Sequence, residues 1–424
     1  MDRNGAWNSL KYIFLAVFVL FLPFFAVAQS GDEVVDLLVE LGFENVSWGE
    51  NESERVYVLE NTVYRTTGVG IGKALDEIQK HGLPAVGKGC RLIVLDNNVP
   101  QISLCCTAPE VGKELSRNDW TVSYDLGESW DAVKGNKKKN SSLYKVDLLV
   151  APEFNFKNYK LSVPYEVQLF LNPTIRTSLW KGGELTAQLS IPVVNQYDEY
   201  VTEIKPGFVT LSHTLRFPYN ILVRGTVGFY SWNRAGGDLS AKWYSNNGKF
   251  WVDGRLSYTA EGQWGEYVID RGEWKKINPL VFVYDRETLE FTGYMGVNYY
   301  FKKFDTQMSA KYMKFLYGYN GVRGDLIRHF KNCSIGFYLM KVQDVSWNDG
   351  LTGGFMFQVT LPPFRYKRKG YIPRVMPSSS WGLSYNAAGT LHSGKMFRTD
   401  IDEFIVSPDV YFNPNYVKTE LLNF

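Results

Sequence analysis

The stretch ILVRGTVGFY, residues 221–230, decides the fold class of most of the chain. One phase of a two-residue repeat carries Ile221, Val223, Gly225, Val227 and Phe229, whereas the other carries Leu222, Arg224, Thr226, Gly228 and Tyr230, so the alternation is imperfect. Successive side chains of a β-strand point to opposite faces of its sheet. The stretch therefore predicts a strand with one apolar and one more polar face.

Segments of this kind follow one another from residue 143 onward, and they are separated by turn signals such as FPYN at 217–220 and SNNG at 245–248. Residues 308–316 show the same alternation. Each segment has roughly ten residues, the length that a tilted strand needs to cross a bilayer. We therefore predict a mainly β protein, with an antiparallel transmembrane β-barrel of about a dozen or more strands over residues 144–424.

Aromatic residues make up 16% of the chain and gather near the ends of the predicted strands, as at Tyr230, Trp232, Trp243 and 299–301. Outer-membrane barrels carry aromatic girdles at both membrane interfaces, which favours a membrane barrel. The alternative is a soluble β-sandwich or jelly roll, whose aromatics fill a core. The net charge of +2 gives no signature of nucleic-acid binding, so no nucleic-acid partner is predicted.

The first 30 residues predict export. The basic residues Arg3 and Lys11 precede the apolar run at 12–25, and the small residues 26–28 follow it. This order is typical of a signal peptide, here residues 1–28, cleaved between Ala28 and Gln29. A membrane anchor is the alternative, but the run is short for the ~30 Å hydrocarbon core. Export and a barrel together predict the outer membrane of a Gram-negative cell, with its lipid and its barrel-assembly machinery as partners.

Residues 30–110 differ from the predicted barrel in the spacing of their apolar residues. Apolar residues recur at helical spacing over 33–41 and over 72–81, and a glycine follows each run. These runs alternate with short strand-like stretches, so we predict a small α/β domain on the periplasmic side. Residues 111–143, which include GNKKKN at 135–140, are predicted to be a polar linker; a cationic patch is the alternative.

The four cysteines are Cys90, Cys105, Cys106 and Cys333. Residues 91–95 and 99–104 predict a hairpin around an Asn-Asn turn. With that turn, the positions of facing residues sum to 195, so Cys90 lies opposite Cys105. An exported protein meets an oxidising compartment, so a disulfide between them is possible; two free thiols are the alternative.

Candidate catalytic or metal-binding groups are not apparent in the sequence. The four histidines stand apart from one another, and only His329 is near a cysteine, Cys333, so no set of zinc ligands is apparent. The acidic residues Asp400, Asp402 and Glu403 are predicted to be solvated surface charge. We therefore predict no catalytic residues, no metal, no cofactor and no enzymatic activity.

Two stretches carry a family resemblance. LGFENV at 41–46, followed by LENTVYR at 59–65, resembles the opening of the YjbH/GfcD exopolysaccharide-biosynthesis family. The matching residues are Gly42, Phe43, Glu44, Asn45, Val46, Glu60, Asn61, Tyr64 and Arg65. GGFMFQVTLPPFRYKRKGYIPRV at 353–375, with Pro377 and Trp381, is similar to a second region of that family. The Arg-Asp-Gly-Gly run of the family is replaced here by YNAAG at 385–389, and typical members are longer, so the chain resembles a shortened version with a single barrel.

This resemblance implies a non-enzymatic outer-membrane barrel that serves export or assembly of a capsule-like polysaccharide, together with periplasmic export proteins. A basic cluster can attract an acidic polysaccharide, although such clusters are often plain solvated loops. Its members are Arg365, Lys367, Arg368, Lys369 and Arg374. Two other functions remain open: a general diffusion porin, or a secreted soluble all-β protein that binds or cleaves glycans.

Overall fold

The structure, a computed structural model, describes residues 31–110, 112–157, 165–196, 204–270, 273–343, 350–386, 394–403 and 411–423. Within these ranges only the backbone is described for 266–270, 273–280 and 386. The predicted signal peptide and its cleavage site at Ala28 and Gln29 lie outside the described residues.

The N-terminal part is the predicted small α/β domain. Its elements are α1 (Gly31–Leu41), β1 (Glu44–Glu50), β2 (Glu54–Glu60), α2 (Thr67–His81), β3 (Gly89–Asp96), β4 (Val99–Thr107), β5 (Thr121–Ser123) and α3 (Ser129–Val133). The strands form one sheet in the order β1-β2-β3-β4-β5, in which only β2 and β3 are parallel. The helix α2 connects that parallel pair, as a crossover must. Leu38 and Ile71 are among the helix residues buried in the core.

The domain does not end at residue 110, and the predicted linker over 111–143 was wrong. Strand β5 extends the sheet by pairing with β4. Val133 of α3 is buried against Val56 and Val58 on the other face of the sheet. The polar composition was misleading because few apolar residues, with Trp120 and Tyr124 among them, are enough to fix this stretch.

The second part is a large sheet of nearly closed barrel form. Its wall strands are β6 (Val146–Lys157), β7 (Glu166–Trp180), β8 (Gly183–Asn195), β9 (Lys205–Phe217), β10 (Ile221–Tyr230), β11 (Arg234–Tyr244), β12 (Phe250–Asp270), β13 (Glu273–Tyr284), β14 (Glu290–Phe301), β15 (Thr306–Lys314), β16 (Asn320–His329), β17 (Cys333–Val342), β18 (Leu351–Thr360), β19 (Arg374–Pro377) and β20 (Ser380–Asn386). Fourteen strands follow one another along one path from β19 to β20. Strand β13 lies off this path and pairs with the C-terminal part of β12, residues 262–270.

The two ends of that path belong to one run of chain, which is why the sheet nearly closes. Strand β19 pairs in parallel with β6, from Arg374 beside Asp147 to Pro377 beside Val150. Strand β20, two residues later, pairs antiparallel with β18. We call this junction the seam.

The barrel is apolar outside and polar inside. On β14 the side chains of Met295 and Val297 are 69% and 46% exposed, whereas Thr292 and Asn298 are buried. On β10, Val227 faces outward and Thr226 inward, on the opposite faces that the alternation predicted. A soluble barrel hides its apolar face, so the reverse arrangement is that of outer-membrane barrels. The predicted fold class is confirmed.

The exposed aromatics gather at both ends of the wall. Trp243 and Tyr299 lie at one end, and Trp232 and Phe291 at the other. Tyr230, which was predicted with them, is buried and faces inward. Among the described residues, no helix is both long and apolar enough to span a membrane.

The last described residues leave the wall, so the prediction that the barrel extends to 424 was wrong. Residues 394–403 lie inside the barrel, where they contact inward-facing side chains of several strands. The helix α4 (Pro414–Leu422) then packs against α2 through its buried residues Val417 and Leu421. Residue 424 is outside the described part of the chain.

Candidate functional site in the barrel lumen

The lumen wall carries arginines on its inward phase. Arg176 lies on β7, Arg224 on β10 and Arg255 on β12. The alternation of each strand turns these side chains away from the outer surface, because their neighbours Ile175 and Leu256 are exposed outside. Charged groups inside a barrel need partners, and residues 394–403 supply them.

Asp400 joins two of these arginines. One carboxylate oxygen lies 2.7 Å from Nη2 of Arg176, and the other lies 2.7 Å from Nη2 of Arg224. Nη1 of Arg176 binds Asp402 at 2.6 Å. Glu184, an acid of the wall itself, is farther away, at 3.8 Å from Arg176 and 3.4 Å from Arg224. The shortest ion-pair contacts of both guanidinium groups are therefore with residues 394–403, which we call the lumen segment, and not with the wall.

Arg255 is held mainly by the wall. Its Nε binds Asp238 at 2.5 Å, and Ser257 donates to the same carboxylate. Toward the segment, Nη1 donates to the carbonyl oxygen of Phe397 at 3.2 Å and lies 3.4 Å from Glu403. The guanidinium carbon also lies 4.8 Å from the centre of the Phe397 ring. This arginine would keep a partner without the segment.

The lumen segment has further attachments. Ser379 donates to Asp402 at 2.7 Å, Arg398 lies 3.7 Å from Glu153, and Met396 packs against the core. Phe397 stacks on Tyr230 at 5.3 Å, and Ile401 packs with Leu149 and Phe208. Two backbone hydrogen bonds tie it to wall turns, from Leu316 N to Lys395 O and from Ser231 N to Arg398 O. The segment forms no helix or strand, so side chains hold it in place more than a hydrogen-bonded ladder does.

The prediction that Asp400, Asp402 and Glu403 are solvated surface charge was wrong, because Asp400 is only 8% exposed. The sequence held one signal that pointed to them. Arg224 stands on the inward phase of a predicted barrel strand, and a buried charge is usually paired with an opposite one. Which of the chain's many carboxylates pairs with Arg224 depends on the tertiary structure.

The N-terminal domain occupies one mouth of the barrel through the β3–β4 hairpin. Its Asn97-Asn98 turn, correctly predicted, has both φ angles positive at 46° and 63°. Asn97 O accepts from the backbone of Gly182, in the turn between β7 and β8. Arg216 of β9 donates to the carbonyl oxygens of Pro100 and Gln101 at 3.1 and 2.6 Å. The turns at this mouth are short, as between β7 and β8 and between β9 and β10.

Several of the family-matching residues form a buried hydrogen-bond network inside the domain, next to the Asn97-Asn98 turn. Asn45 donates to Glu60 and, at 2.7 Å, to Ser142. Glu60 also accepts from the backbone N–H groups of Asn97 and Asn98 at 3.0 and 3.1 Å. Burial raises the pKa of Glu60 to about 7, and the nearby Asp96 adds to this rise. Gly42, with φ of 106°, ends α1, and Phe43 and Val46 are fully buried.

The two stretches that resemble the family meet in space. Tyr64 forms a β-bridge with Arg365, and the backbone N–H of Arg65 donates to Phe364 O. Arg65 also donates from its guanidinium to Pro377 O at 3.1 Å. Asn61 fixes the turn before them by accepting from Tyr64 N. Residues about 300 positions apart in sequence thus share one junction between the domain and the wall.

The basic cluster divides into two groups. Arg368 and Arg374 are nearly buried and bind Asp147 at 2.6 and 2.8 Å, and Arg368 also pairs with the buried Glu44. The charges of Arg368 and Arg374 are therefore paired with acidic residues inside the junction. The exposed members are Arg365, Lys367 and Lys369. Lys367 Nζ donates to Glu40 O, and Arg365 lies over the ring of Tyr64.

The predicted pairing of Cys90 with Cys105 was wrong, because Cys90 faces Cys106. The predicted register holds next to the turn, where Leu95 faces Pro100, but a bulge at Gln101 then shifts it by one residue. The thiols of Cys90 and Cys106 are hydrogen-bonded, and this contact and burial raise the pKa of Cys90. All four cysteines are free in the structure.

No group of three or more histidine, cysteine, aspartate or glutamate residues is placed to hold a metal ion in the part of the chain that the structure describes.

No protein-family model and no curated protein sequence matches the chain. Among solved structures, the trimer form of in-vitro folded OmpT, an outer membrane protein of Vibrio cholerae, is similar over 57% of this chain and 98% of its own, with 8% identity and a TM-score of 0.27. A second structure of the in-vitro folded OmpT covers 57% of this chain and 96% of its own, with 7% identity and a TM-score of 0.25.

Proposed function

We propose that the protein is a non-enzymatic outer-membrane barrel that assists export or assembly of an extracellular, capsule-like polysaccharide. One observation carries this proposal: the lumen is occupied by residues 394–403, and the mouth is occupied by a folded domain. A general diffusion porin needs a permanently open lumen. A barrel closed by its own chain is instead suited to a transport step that is coupled to a specific cargo or partner.

The outer-membrane location is supported by the outward surface of the barrel wall. The outward apolar side chains of the wall, such as Met295 and Val297, would be costly in water and are satisfied by lipid. Outer-membrane barrels have short turns on the periplasmic side. The α/β domain sits at the short-turn mouth, so we place it in the periplasm. This surface disfavours the soluble secreted alternative.

The polysaccharide part of the proposal draws on the resemblance to the YjbH/GfcD family. The two stretches that carry it contact each other at the junction between the domain and the wall, which supports a common task for them. The exposed basic residues of that junction are the candidate contact for an acidic polymer, and periplasmic export proteins are the candidate partners.

The decisive experiment is deletion of the gene. We expect less surface polysaccharide with unchanged cytoplasmic synthesis. Normal surface polysaccharide, together with unselective flux of small solutes through the purified barrel, would instead support the porin. Recovery of the protein from the soluble periplasm, without a mobility shift on boiling, would exclude the membrane location.

The basic contact has its own test, the triple variant R365Q/K367Q/K369Q. We expect weaker association with an acidic polymer and a lower salt dependence of what remains, because exposed charges act within a screening length of ~8 Å. The matched control K113Q/K134Q/K137Q removes the same charge from exposed lysines elsewhere on the domain. Equal loss of binding in both variants would mean that only net charge matters.

A further inference from the structure

We propose that Arg176 and Arg224 form a binding site for the carboxylates of an acidic polysaccharide, and that Asp400 and Asp402 occupy this site as an internal substitute. The inference deepens the proposed function and rests on it, since it names the class of polymer: one that carries uronic-acid carboxylates.

The geometry at Asp400 is that of ligand recognition. One carboxylate bridges two guanidinium groups, with both oxygens at 2.7 Å from their donors. Charge-assisted contacts of this length are the strong ones, and arginine is the side chain best shaped for planar carboxylates. A uronate carboxylate has the same shape and charge as that of Asp400.

The site needs an anion when the segment is absent. Without residues 394–403, the two guanidinium groups of Arg176 and Arg224 would face one wall acid, Glu184. Asp96, at the end of β3, adds a negative charge from the side of the mouth. Nη1 and Nη2 of Arg176 would both lose their shortest contacts. The two guanidinium groups would keep only the more distant acids Glu184 and Asp96 as counter-charges. Buried cations whose short contacts are lost are costly, so the vacated site would favour an incoming carboxylate.

The attachment of the segment makes such an exchange feasible. Its hold on Arg176 and Arg224 is through carboxylates alone. Its other contacts include the apolar side chains of Met396, Phe397 and Ile401, the ion pair of Arg398 with Glu153, and the hydrogen bond from Ser379 to Asp402. The tethered carboxylates act at an effective concentration of about millimolar or above. A single sugar acid competes poorly with that, whereas a polymer that offers many carboxylates at once can displace the segment.

The experiment uses the full-length protein in detergent micelles, with polygalacturonate as the acidic probe. Dextran is the neutral polymer control, and galacturonic acid is the monovalent control. Two readouts are combined: affinity by calorimetry, and hydrogen exchange of the backbone amides at 394–403. We expect polygalacturonate alone to bind measurably and to accelerate exchange in the segment.

Two double variants separate the site from the segment. D400N/D402N keeps the shape of the side chains but removes their charge, so it should free the segment and raise the affinity for polygalacturonate about tenfold or more. R176Q/R224Q should also free the segment but should abolish the gain in affinity. The exposed double variant E33Q/E287Q serves as a control for loss of two negative charges outside the lumen.

Heat-modifiable mobility identifies the variants that fold. If R176Q/R224Q does not fold, the nearly isosteric D400N/D402N still decides the matter. Unchanged exchange and affinity in D400N/D402N, or equal binding of dextran and polygalacturonate, would overturn the proposed site. A normal capsule in the deletion strain would overturn the proposed function alone, because binding by the purified protein is measured independently.

Discussion

At the scale of single residues, the buried carboxyl of Glu60 shows how the domain tolerates a costly group. Glu60 is 7% exposed and receives three hydrogen bonds, from Asn45, Asn97 and Asn98. Hydrogen bonds from N–H groups favour the charged form, but burial dominates and raises the pKa to about 7. The neighbouring acids Asp96 and Glu44 act in the same direction as burial.

The domain should therefore lose stability as the pH rises. Below the ordinary pKa of 4.5, Glu60 is protonated in both the folded and unfolded states. Between this value and about 7 the unfolded chain ionises first, so folding is weakened by roughly 3 kcal/mol across the window. We expect faster hydrogen exchange of the β2–β3 amides at pH 7.5 than at pH 5, after correction for intrinsic rates. E60Q should flatten this difference, and the exposed E33Q should preserve it.

Single residues also mark the limit of sequence reasoning. The alternation in 221–230 correctly put Thr226 and Val227 on opposite faces, because a strand's geometry fixes the faces locally. The partners of Arg176 lie more than 220 positions away, and nothing local announces them. Asp400 and a solvated aspartate look alike until the fold is known.

At the scale of elements, one inserted residue changes which cysteines meet. The bulge at Gln101 moves Cys106 opposite Cys90 and turns Cys105 toward the other face of the strand. The hairpin, its turn and its strands were predictable from local sequence. The bulge was not, because a one-residue irregularity leaves no local pattern; in the structure, Arg216 of the barrel wall donates to Gln101 O at the bulge.

If the exported protein is oxidised, the bridge should therefore form between Cys90 and Cys106. We expect peptide mapping of the membrane-isolated protein to find these two cysteines linked, with the loss of two hydrogens. C105S should retain the link, and C106S should lose it. A link between Cys90 and Cys105 would contradict the register, and free thiols throughout would show that facing positions alone do not suffice.

The helix α4 provides a second prediction at this scale. Leu421 is fully buried against the domain, whereas its neighbour Leu422 is 44% exposed. L421A removes buried methyl groups and leaves a cavity, so we expect a loss of about 2–5 kcal/mol in the free energy that holds the helix in place. Limited proteolysis after 411 should become faster. L422A removes the same atoms from a surface position and should behave like the wild type.

At the scale of the whole molecule, the fold was predictable because two simple patterns agree. Period-two alternation predicted the strands of the barrel wall, and helical spacing predicted the helices of the N-terminal domain. Strand count, the occupied lumen and the extent of the domain depend on contacts between distant segments. The polar stretch 111–143 packs as part of the domain, and the C-terminal region 394–403 lies inside the barrel, although both have the composition of loops.

The outward face should tolerate no charge in its middle. Met295 lies near the centre of β14 and is 69% exposed to the surroundings of the barrel. M295R places a charge in the hydrocarbon region, which costs about 2–4 kcal/mol at the bilayer centre. We expect a lower unfolding free energy in phospholipid vesicles, measured by urea titration. E287R, at an exposed turn outside the wall, should have little effect, and equal stability of both variants would argue against a membrane-embedded wall.

The seam has a mechanical consequence. Only four residue pairs join β19 to β6, whereas seven or more join every other pair of neighbouring wall strands along the described path. Pulling on the wall distributes load over hydrogen bonds in parallel, so the joint with the fewest bonds yields first. Lateral tension in the membrane would thus split the cylinder along β6, beside Asp147 and the arginines that bind it, before any other strands part.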